Sequence, residues 1–203
     1  MNKKFPRKIH IIGSVASGKT TFAKELSTKL NIPYYELDNV VWIRQNSGDI
    51  RRTDQQKVDY LNNIILTNAW IIEGVHNEDW VALSFLNADL IIFLDTNYFI
   101  RIYRIIKRFT LQKLGLEKSN YKPTFTIFIK MFKWNCYFEE IGKPNFYHKY
   151  GVYYDKLLVV SSKRQIFKKS ISKNNGYASS VYILSIFFRS RCSFSCCWLF
   201  CFF

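Results

Sequence analysis

Acidic side chains are scarce in this chain. Fifteen Asp and Glu face thirty Lys and Arg in 203 residues, a formal net charge of +15. A surface so short of negative charge attracts polyanions such as nucleotides, nucleic acid or anionic lipid, although a general lysine bias gives the same excess without any such partner. Acid is rarest near the C-terminus, where Asp155 alone follows Glu140. Long apolar runs are missing too: none reaches the roughly 20 residues of a membrane span. The basic start "MNKKFPRKIHIIGS" has too short an apolar run for a secretory signal, and no small-residue cleavage site follows it. A cytoplasmic protein is expected. Nor is there a disulfide framework, since Cys136 stands alone and Cys192, Cys196, Cys197 and Cys201 crowd the last dozen residues.

What remains is ordinary globular material, with 48% hydrophobic and 22% charged residues, enough for one domain with a core of its own. Strands alternate with helices along it. Ile9-His10-Ile11-Ile12 is a short apolar run closed by Gly13, as a buried strand should be. Phe22, Leu26 and Leu30 recur at four-residue steps and give the next segment one apolar helical face, which Asn31 and Pro33 end. Pro33 to Asp38 reads as a second strand, "WIIEG" (Trp70 to Gly74) as a third, "ADLIIFLD" (Ala88 to Asp95) as a fourth and "KLLVVSS" (Lys156 to Ser162) as a fifth. Thr53 and Gln56 form a capping box ahead of a helix whose Val58, Leu61, Ile64 and Ile65 share a face. A long basic helix runs from about Tyr98 to Gln112. Five strands separated by helices imply a mostly parallel sheet covered on both faces, with ligands at the carboxyl ends of its strands. Gly13, Asp38, Glu73 and Asp95 all fall there.

Two regions resist this pattern. Residues from about Lys113 to Tyr150 are aromatic, rich in lysine and without clear period, so they read either as a lid or as a helical insertion. The chain therefore divides into residues 1–170, a single domain, and residues 171–203, whose "SIFFRSRCSFSCCWLFCFF" has neither helical nor strand period. An out-of-frame end accounts for that tail most simply; a membrane-associating tail and a cysteine metal site are the alternatives, the latter with nearly contiguous ligands and no second half-site.

The chemistry begins at "GSVASGKT". Gly13-Ser14-Val15-Ala16-Ser17-Gly18-Lys19-Thr20 fits G-x-x-x-x-G-K-[ST], the Walker A phosphate loop, and it sits between a strand and an amphipathic helix as that motif requires. Small residues let main-chain N–H groups converge on phosphate oxygens. Lys19 sets a point charge against the β- and γ-phosphates. Thr20 offers a hydroxyl to Mg²⁺, and the helix that carries it and Thr21 turns its positive end on the anion. ATP and Mg²⁺ are the expected cofactors. A magnesium-bound phosphate also wants a carboxylate on a neighbouring strand; Glu73 is the first candidate and Asp95 the second, with a loop-capping role as the alternative for each. Asp38 either takes a proton from a substrate hydroxyl, or holds the substrate, or caps its loop. Arg101, Arg104 and Arg108 lie within roughly 60° of one another on their helix, well separated from Ile102, Ile105, Ile106 and Phe109. Aligned, they form either a clamp for a transferring phosphoryl group or a solvated basic face. Lys163 and Arg164 border the adenine in the same scheme. His10, His76 and His148 show no ligand spacing.

Taken together, "IIGSVASGKTTFAKELSTKLNIPYYELDNVVW", "WIIEGVHNEDW", "ADLIIFLD" and "RIYRIIKRF" resemble the adenylate-kinase-like P-loop proteins named DNA topology modulation protein FlaR, over about Ile9 to Lys169. The resemblance implies a three-layer α/β P-loop NTPase fold of nucleoside-monophosphate-kinase-like type, with ATP on Gly13 to Thr20 and a lid helix bearing Arg101, Arg104 and Arg108. It departs where that group usually shows Asp-Gly-Asn-Tyr, for here Glu73-Gly74-Val75-His76 stands. The function expected is a small kinase moving the ATP γ-phosphoryl to a nucleotide or other small molecule. The alternative is an ATP-binding, DNA-associated regulator without kinase turnover, though no helix-turn-helix or zinc-finger pattern is present to read a groove.

Overall fold

The computed structural model describes residues 6–45, 48–117 and 123–161. Lys163, Arg164 and the whole of 171–203, with its four cysteines, lie outside them. Among the described residues seven strands and seven α-helices follow in the order β1 (Lys8–Gly13), α1 (Lys19–Leu30), β2 (Tyr34–Glu36), α2 (Leu37–Val41), β3 (Trp42–Ile43), β4 (Ile50–Arg51), α3 (Asp54–Ile65), β5 (Trp70–Gly74), α4 (Ala82–Asn87), β6 (Leu90–Leu94), α5 (Tyr98–Lys113), α6 (Phe125–Tyr137), α7 (Lys143–Tyr150) and β7 (Leu157–Val160). A π-helical turn at Phe138–Gly142 joins α6 to α7.

The main sheet holds five strands in the order β2-β5-β1-β6-β7, every pair parallel. Every residue of β5 and β6 is buried, as are Ile9 to Gly13 of β1. Strands enclosed on both faces need unbroken apolar runs, and these three have them. Alternation along β1 separates two cores. Ile9 and Ile11 pack with Phe22, Ala23 and Leu26 of α1. Ile12 faces the other way, in a cluster with Leu61 of α3, Phe85 of α4 and Phe146 and Tyr150 of α7. Each such side chain contributes about 1.5–3 kcal/mol by leaving water. Helices thus cover both faces, and the central strand β1 delivers its carboxyl end between β5 and β6.

The capping box forms as the sequence foretold: the Gln56 N–H donates to Thr53 Oγ1 at 3.3 Å, and the Thr53 N–H to Gln56 Oε1 at 3.0 Å. Two expectations need correction. The second strand stops at Glu36, and Leu37–Val41 is helical because Leu37, Val40 and Val41 bury one helical face. Asp38 therefore stands in the first turn of α2 and not at a strand end. In α5 the buried residues are Arg101, Ile105 and Gln112, while Ile106 is 46% exposed. Arg101 and Ile105 turn inward together, while Arg104, Arg108 and Ile106 are exposed. Of the aperiodic stretch, Phe125 to Tyr150 is helical, with α6 packed along α5.

Candidate phosphate-binding site

The loop from Gly13 to Gly18 is shaped by two glycines and one strained alanine. A Cβ on Gly13 would lie 2.8 Å from the Leu94 carbonyl oxygen and 3.0 Å from Ser17 Oγ, so only glycine lets β1 pass β6 here. Gly18 has φ 97° and Ala16 φ 58°. For an L-residue such as alanine that conformation costs about 1–2 kcal/mol, a strain typical of functional loops. Gly18 is also the N-cap of α1, and it offers no side-chain cap to the helix. By contrast, Thr53, Asn97 and Thr124 cap α3, α5 and α6 with side-chain oxygens. The first turn of α1 carries no acid either. Its main-chain N–H groups have no intrahelical acceptors and lie at the positive end of the helix, the setting for an anion.

Side chains complete the cradle. Lys19 Nζ donates to the Ser14 carbonyl at 2.9 Å, which folds the ammonium back over the loop. Thr20 Oγ1 donates to Glu73 Oε1 at 2.6 Å, joining the loop to the end of β5. Burial pulls the Lys19 ammonium below its usual pKa; Glu73 and Asp38 oppose this, and Arg101 and Arg108 reinforce it. Burial pushes the Glu73 carboxyl up, Lys19 and the Thr20 hydrogen bond pull it down, and Glu36 and Asp38 push it up further. Of the two magnesium candidates, Glu73 is thus placed beside Thr20. Asp95 is committed elsewhere, for Lys143 Nζ holds its two oxygens at 2.7 and 2.8 Å.

The three arginines have three different settings, and a uniform clamp is not what they form. Arg101 is fully buried and paired with Glu139 of the π-helical turn. Arg104 Nη1 donates to the Ala16 and Ser17 carbonyls at 3.2 and 2.9 Å, bracing the outside of the loop. Arg108 is partly exposed and lies 3.4 Å from Glu117. Asp38 is 65% exposed, its Oδ1 3.8 Å from His76 Nε2. Val15 is half-buried and Thr21 exposed at the rim of the loop.

Several neighbours carried no motif that would reveal them. Thr96 Oγ1 donates to the Ser17 carbonyl at 3.0 Å, and Ser14 Oγ to Asn135 Oδ1 at 3.2 Å. His76 sets Nδ1 3.2 and 3.3 Å from the Glu78 carboxylate and stands edge-on to Trp80. Burial would raise the Glu78 carboxyl, but the His76 hydrogen bond, the imidazole charge and main-chain donors bring it down to about 2. Glu36 alone had a signal: it shares strand phase with Asp38.

The residues fit a phosphate group. Ser17 Oγ, Asn135 Nδ2 and Arg101 Nε and Nη1 are buried without a hydrogen-bond partner. Unpaired buried donors are costly, so several around one loop point to an acceptor that satisfies them. Among the described residues no group of three or more His, Cys, Asp and Glu is gathered to hold a metal. A hydroxyl and one carboxylate suit Mg²⁺, which keeps waters and phosphate oxygens as most of its ligands.

A central strand that runs straight into such a loop, flanked by β5 and β6, is the arrangement of a P-loop NTPase. With β5 inserted between β1 and β2, the three-layer α/β fold is nucleoside-monophosphate-kinase-like. The chain is similar to solved structures of shikimate kinase from Acinetobacter baumannii in complex with shikimate (14% identity, 94% of this chain and 97% of that one, TM-score 0.49). It is also similar to a gluconokinase from Sinorhizobium meliloti 1021 (13%, 72% and 99%, TM-score 0.39) and to deoxyadenosine kinase from M. mycoides with bound dATP (19%, 76% and 90%, TM-score 0.40). Likenesses this slight leave the assignment of the fold with the chain's own strand order and loop. No family model and no curated protein matches the chain. Among the described residues no helix is long and apolar enough to cross a membrane.

Proposed function

We propose that the protein is a small kinase that binds ATP on Gly13 to Thr21 and phosphorylates a small hydroxyl-bearing molecule. The observation that carries this reading is the Thr20–Glu73 hydrogen bond beside an uncapped helix start and a lysine folded onto its own loop. When bound, ATP would supply the phosphoryl group and Mg²⁺, held by Thr20 and Glu73, would offset its charge. Lys19 exchanges the Ser14 carbonyl for phosphate oxygens. Main-chain N–H groups of the loop and of the first turn of α1 fix the phosphates in place. Arg104 holds the loop carbonyls back, so that the opposite, N–H-bearing side of the loop faces the anion. Arg101 brings positive charge towards Lys19 and the phosphate end, with Arg108 further along the same helix, and both favour charge developing in transfer. Asp38, solvent-accessible and electrostatically coupled to Lys19, orients the acceptor hydroxyl and takes its proton.

The resemblance to the FlaR group accords with this reading in its loop and lid-helix residues. The DNA-associated alternative rests on net charge and on that group's name, and no feature of the described site favours it. The test is calorimetric titration of ATP with Mg²⁺ into the protein and its Lys19→Ala variant, beside ADP release across candidate acceptors. Binding and turnover in the parent, both lost in the variant, are expected. Equal behaviour of the two proteins would remove the proposal.

A further inference from the structure

The cleft beyond the phosphate loop is electrically divided. Arg101 and Arg108 of α5 both act on Lys19 along the loop flank. The β2–β5 flank carries acid instead. Glu36 and Glu73 are register partners on adjacent parallel strands, so their side chains leave the sheet on the same side. Asp38 is close enough to act on both Glu73 and Lys19. His76 then links Asp38 to Glu78. Four carboxylates and one imidazole thus gather on the β2–β5 flank beside the P-loop, in a chain with twice as many basic as acidic residues.

Two of the nearby cations that might have met an acceptor's phosphate, Arg44 and Arg52, are turned to other work. Between α2 and α3 there are three arginines. Arg44 pairs with Asp49 and donates to Asn39 Oδ1 at 3.3 Å. Arg52 donates to the Asn39 and Val40 carbonyls at 2.7 and 3.1 Å and lies over the Tyr60 ring. Arg51, exposed, acts on Asp54, whose carboxylate Lys57 already holds at 2.6 Å. The orphaned donors Ser17 Oγ, Asn135 Nδ2 and those of Arg101 belong to the loop and to α5 and α6, where the nucleotide's phosphates are expected. Anion recognition is therefore built at one end of the cleft and is opposed at the other.

We propose, resting on the kinase reading above, that the phosphoryl acceptor is a non-anionic alcohol (a polyol, amino alcohol or amino sugar) and not a nucleoside monophosphate or sugar phosphate. A phosphorylated acceptor brings a charge of roughly −1.5 to −2 against Glu36, Asp38 and Glu78, where two of the three neighbouring arginines, Arg44 and Arg52, are already bound to other groups. A neutral hydroxyl donates to those carboxylates, and an ammonium group is attracted by them. In the transfer, the acceptor oxygen forms a bond to the terminal phosphorus of ATP. The bridging P–O bond to the β-phosphate breaks, its electron pair leaves with ADP, and the hydroxyl proton passes to the Asp38 carboxylate.

ADP release is to be measured with glycerol, myo-inositol, ethanolamine and glucosamine, and in parallel with AMP, CMP, glycerol 3-phosphate and ribose 5-phosphate, on protein whose ATP binding has been titrated by calorimetry. Turnover with a member of the first set, and at least about tenfold lower kcat/KM throughout the second, supports the proposal. A Glu36→Gln/Glu78→Gln variant should then raise KM for the amine-bearing acceptor by about tenfold while leaving the ATP Kd within a factor of about two, as a local charge change predicts. Turnover confined to the phosphorylated set overturns the acceptor class, and so does ATP binding with no stimulation by either set; both leave the nucleotide site standing. Failure to bind ATP sinks the kinase reading itself, and the inference with it.

Discussion

His10 should make the fold lose stability as soon as the pH falls below 6.5. It lies on β1, three residues before the phosphate loop, fully buried and stacked on Phe85 at 3.9 Å. Ser84 Oγ spends its hydrogen on the Val81 carbonyl at 2.7 Å, so at 2.9 Å it accepts from His10 Nδ1. Nε2 is then the bare nitrogen of the neutral ring, buried with no partner. Protonating it would place a charge and an unpaired N–H in the core, and burial holds the pKa down from 6.5 to about 3. The unfolded chain takes up that proton near pH 6.5 and the folded one does not. The contribution is therefore complete above pH 6.5 and is lost as the pH falls from there towards 3. At about 1.36 kcal/mol per pKa unit the whole effect is about 5 kcal/mol, with about 2 kcal/mol gone by pH 5. Domains of this kind have roughly 5–15 kcal/mol in all. Urea unfolding at several pH values from 7.5 to 5, for the parent and for His10→Leu, measures it, and His10→Gln serves if the leucine variant does not fold. Parallel stability curves for parent and variant, or an NMR titration of His10 near 6.5, would refute the reasoning.

The remaining predictions concern the loop and its supports. Gly13→Ala should destabilise the protein by about 1–3 kcal/mol through overpacking against Leu94 and abolish ATP binding, read by chemical denaturation and calorimetry. Arg104→Ala removes two hydrogen bonds to the loop carbonyls, and since bonds from a charged donor contribute about 1.5–3 kcal/mol, it should lower the melting temperature and weaken ATP binding by about tenfold or more. Glu139→Gln leaves the Arg101 guanidinium buried without its counter-charge and should cost about 3 kcal/mol in urea unfolding; Arg101→Met together with Glu139→Gln should recover part of that. The raised Glu73 carboxyl predicts that the Mg²⁺ dependence of ATP binding fades on acidification at a higher pH than an ordinary carboxylate would give, and calorimetry across pH 7 to 5 checks the direction.

How much of this could be seen in advance depended on how local the physics was. The bend of the loop was legible, because Gly13 must pass Leu94 without a side chain and Gly18 takes a positive φ, with Lys19 and Thr20 following at the spacing the motif fixes. Three strands were legible for a similar reason: β1, β5 and β6 are buried on both faces and need unbroken apolar runs. The Thr53–Gln56 cap was written in four consecutive residues. Glu73 was found because it ends a readable strand beside the loop. The two-residue strands β3 and β4 and the short α4 left no such trace.

The arginine helix shows where local reasoning stops. Hydrophobic periodicity turns Ile102, Ile105, Ile106 and Phe109 inward, yet Arg101 is buried and Ile106 exposed. A helix that only covered a core would have followed its isoleucines. Here α5 packs on α6 and carries Arg101 into the interior, where Glu139, 38 residues further along, pairs with it. Asn135 makes the same point more sharply. It meets Ser14 across 121 residues, from a segment without helical or strand period in sequence, and no single-chain pattern links the two. The fold spends buried polar groups around this one loop and leaves four of their donor atoms unpaired, a cost of order 1–3 kcal/mol each. On the kinase reading a bound phosphate offsets that cost. The same accounting makes ATP a stabilising ligand: at about a hundredfold excess over Kd it should add roughly 2.7 kcal/mol to the unfolding free energy. Arg101→Ala should shrink that increment in urea unfolding with and without ATP, whereas an unchanged increment would show that the buried guanidinium faces the protein and not the phosphate.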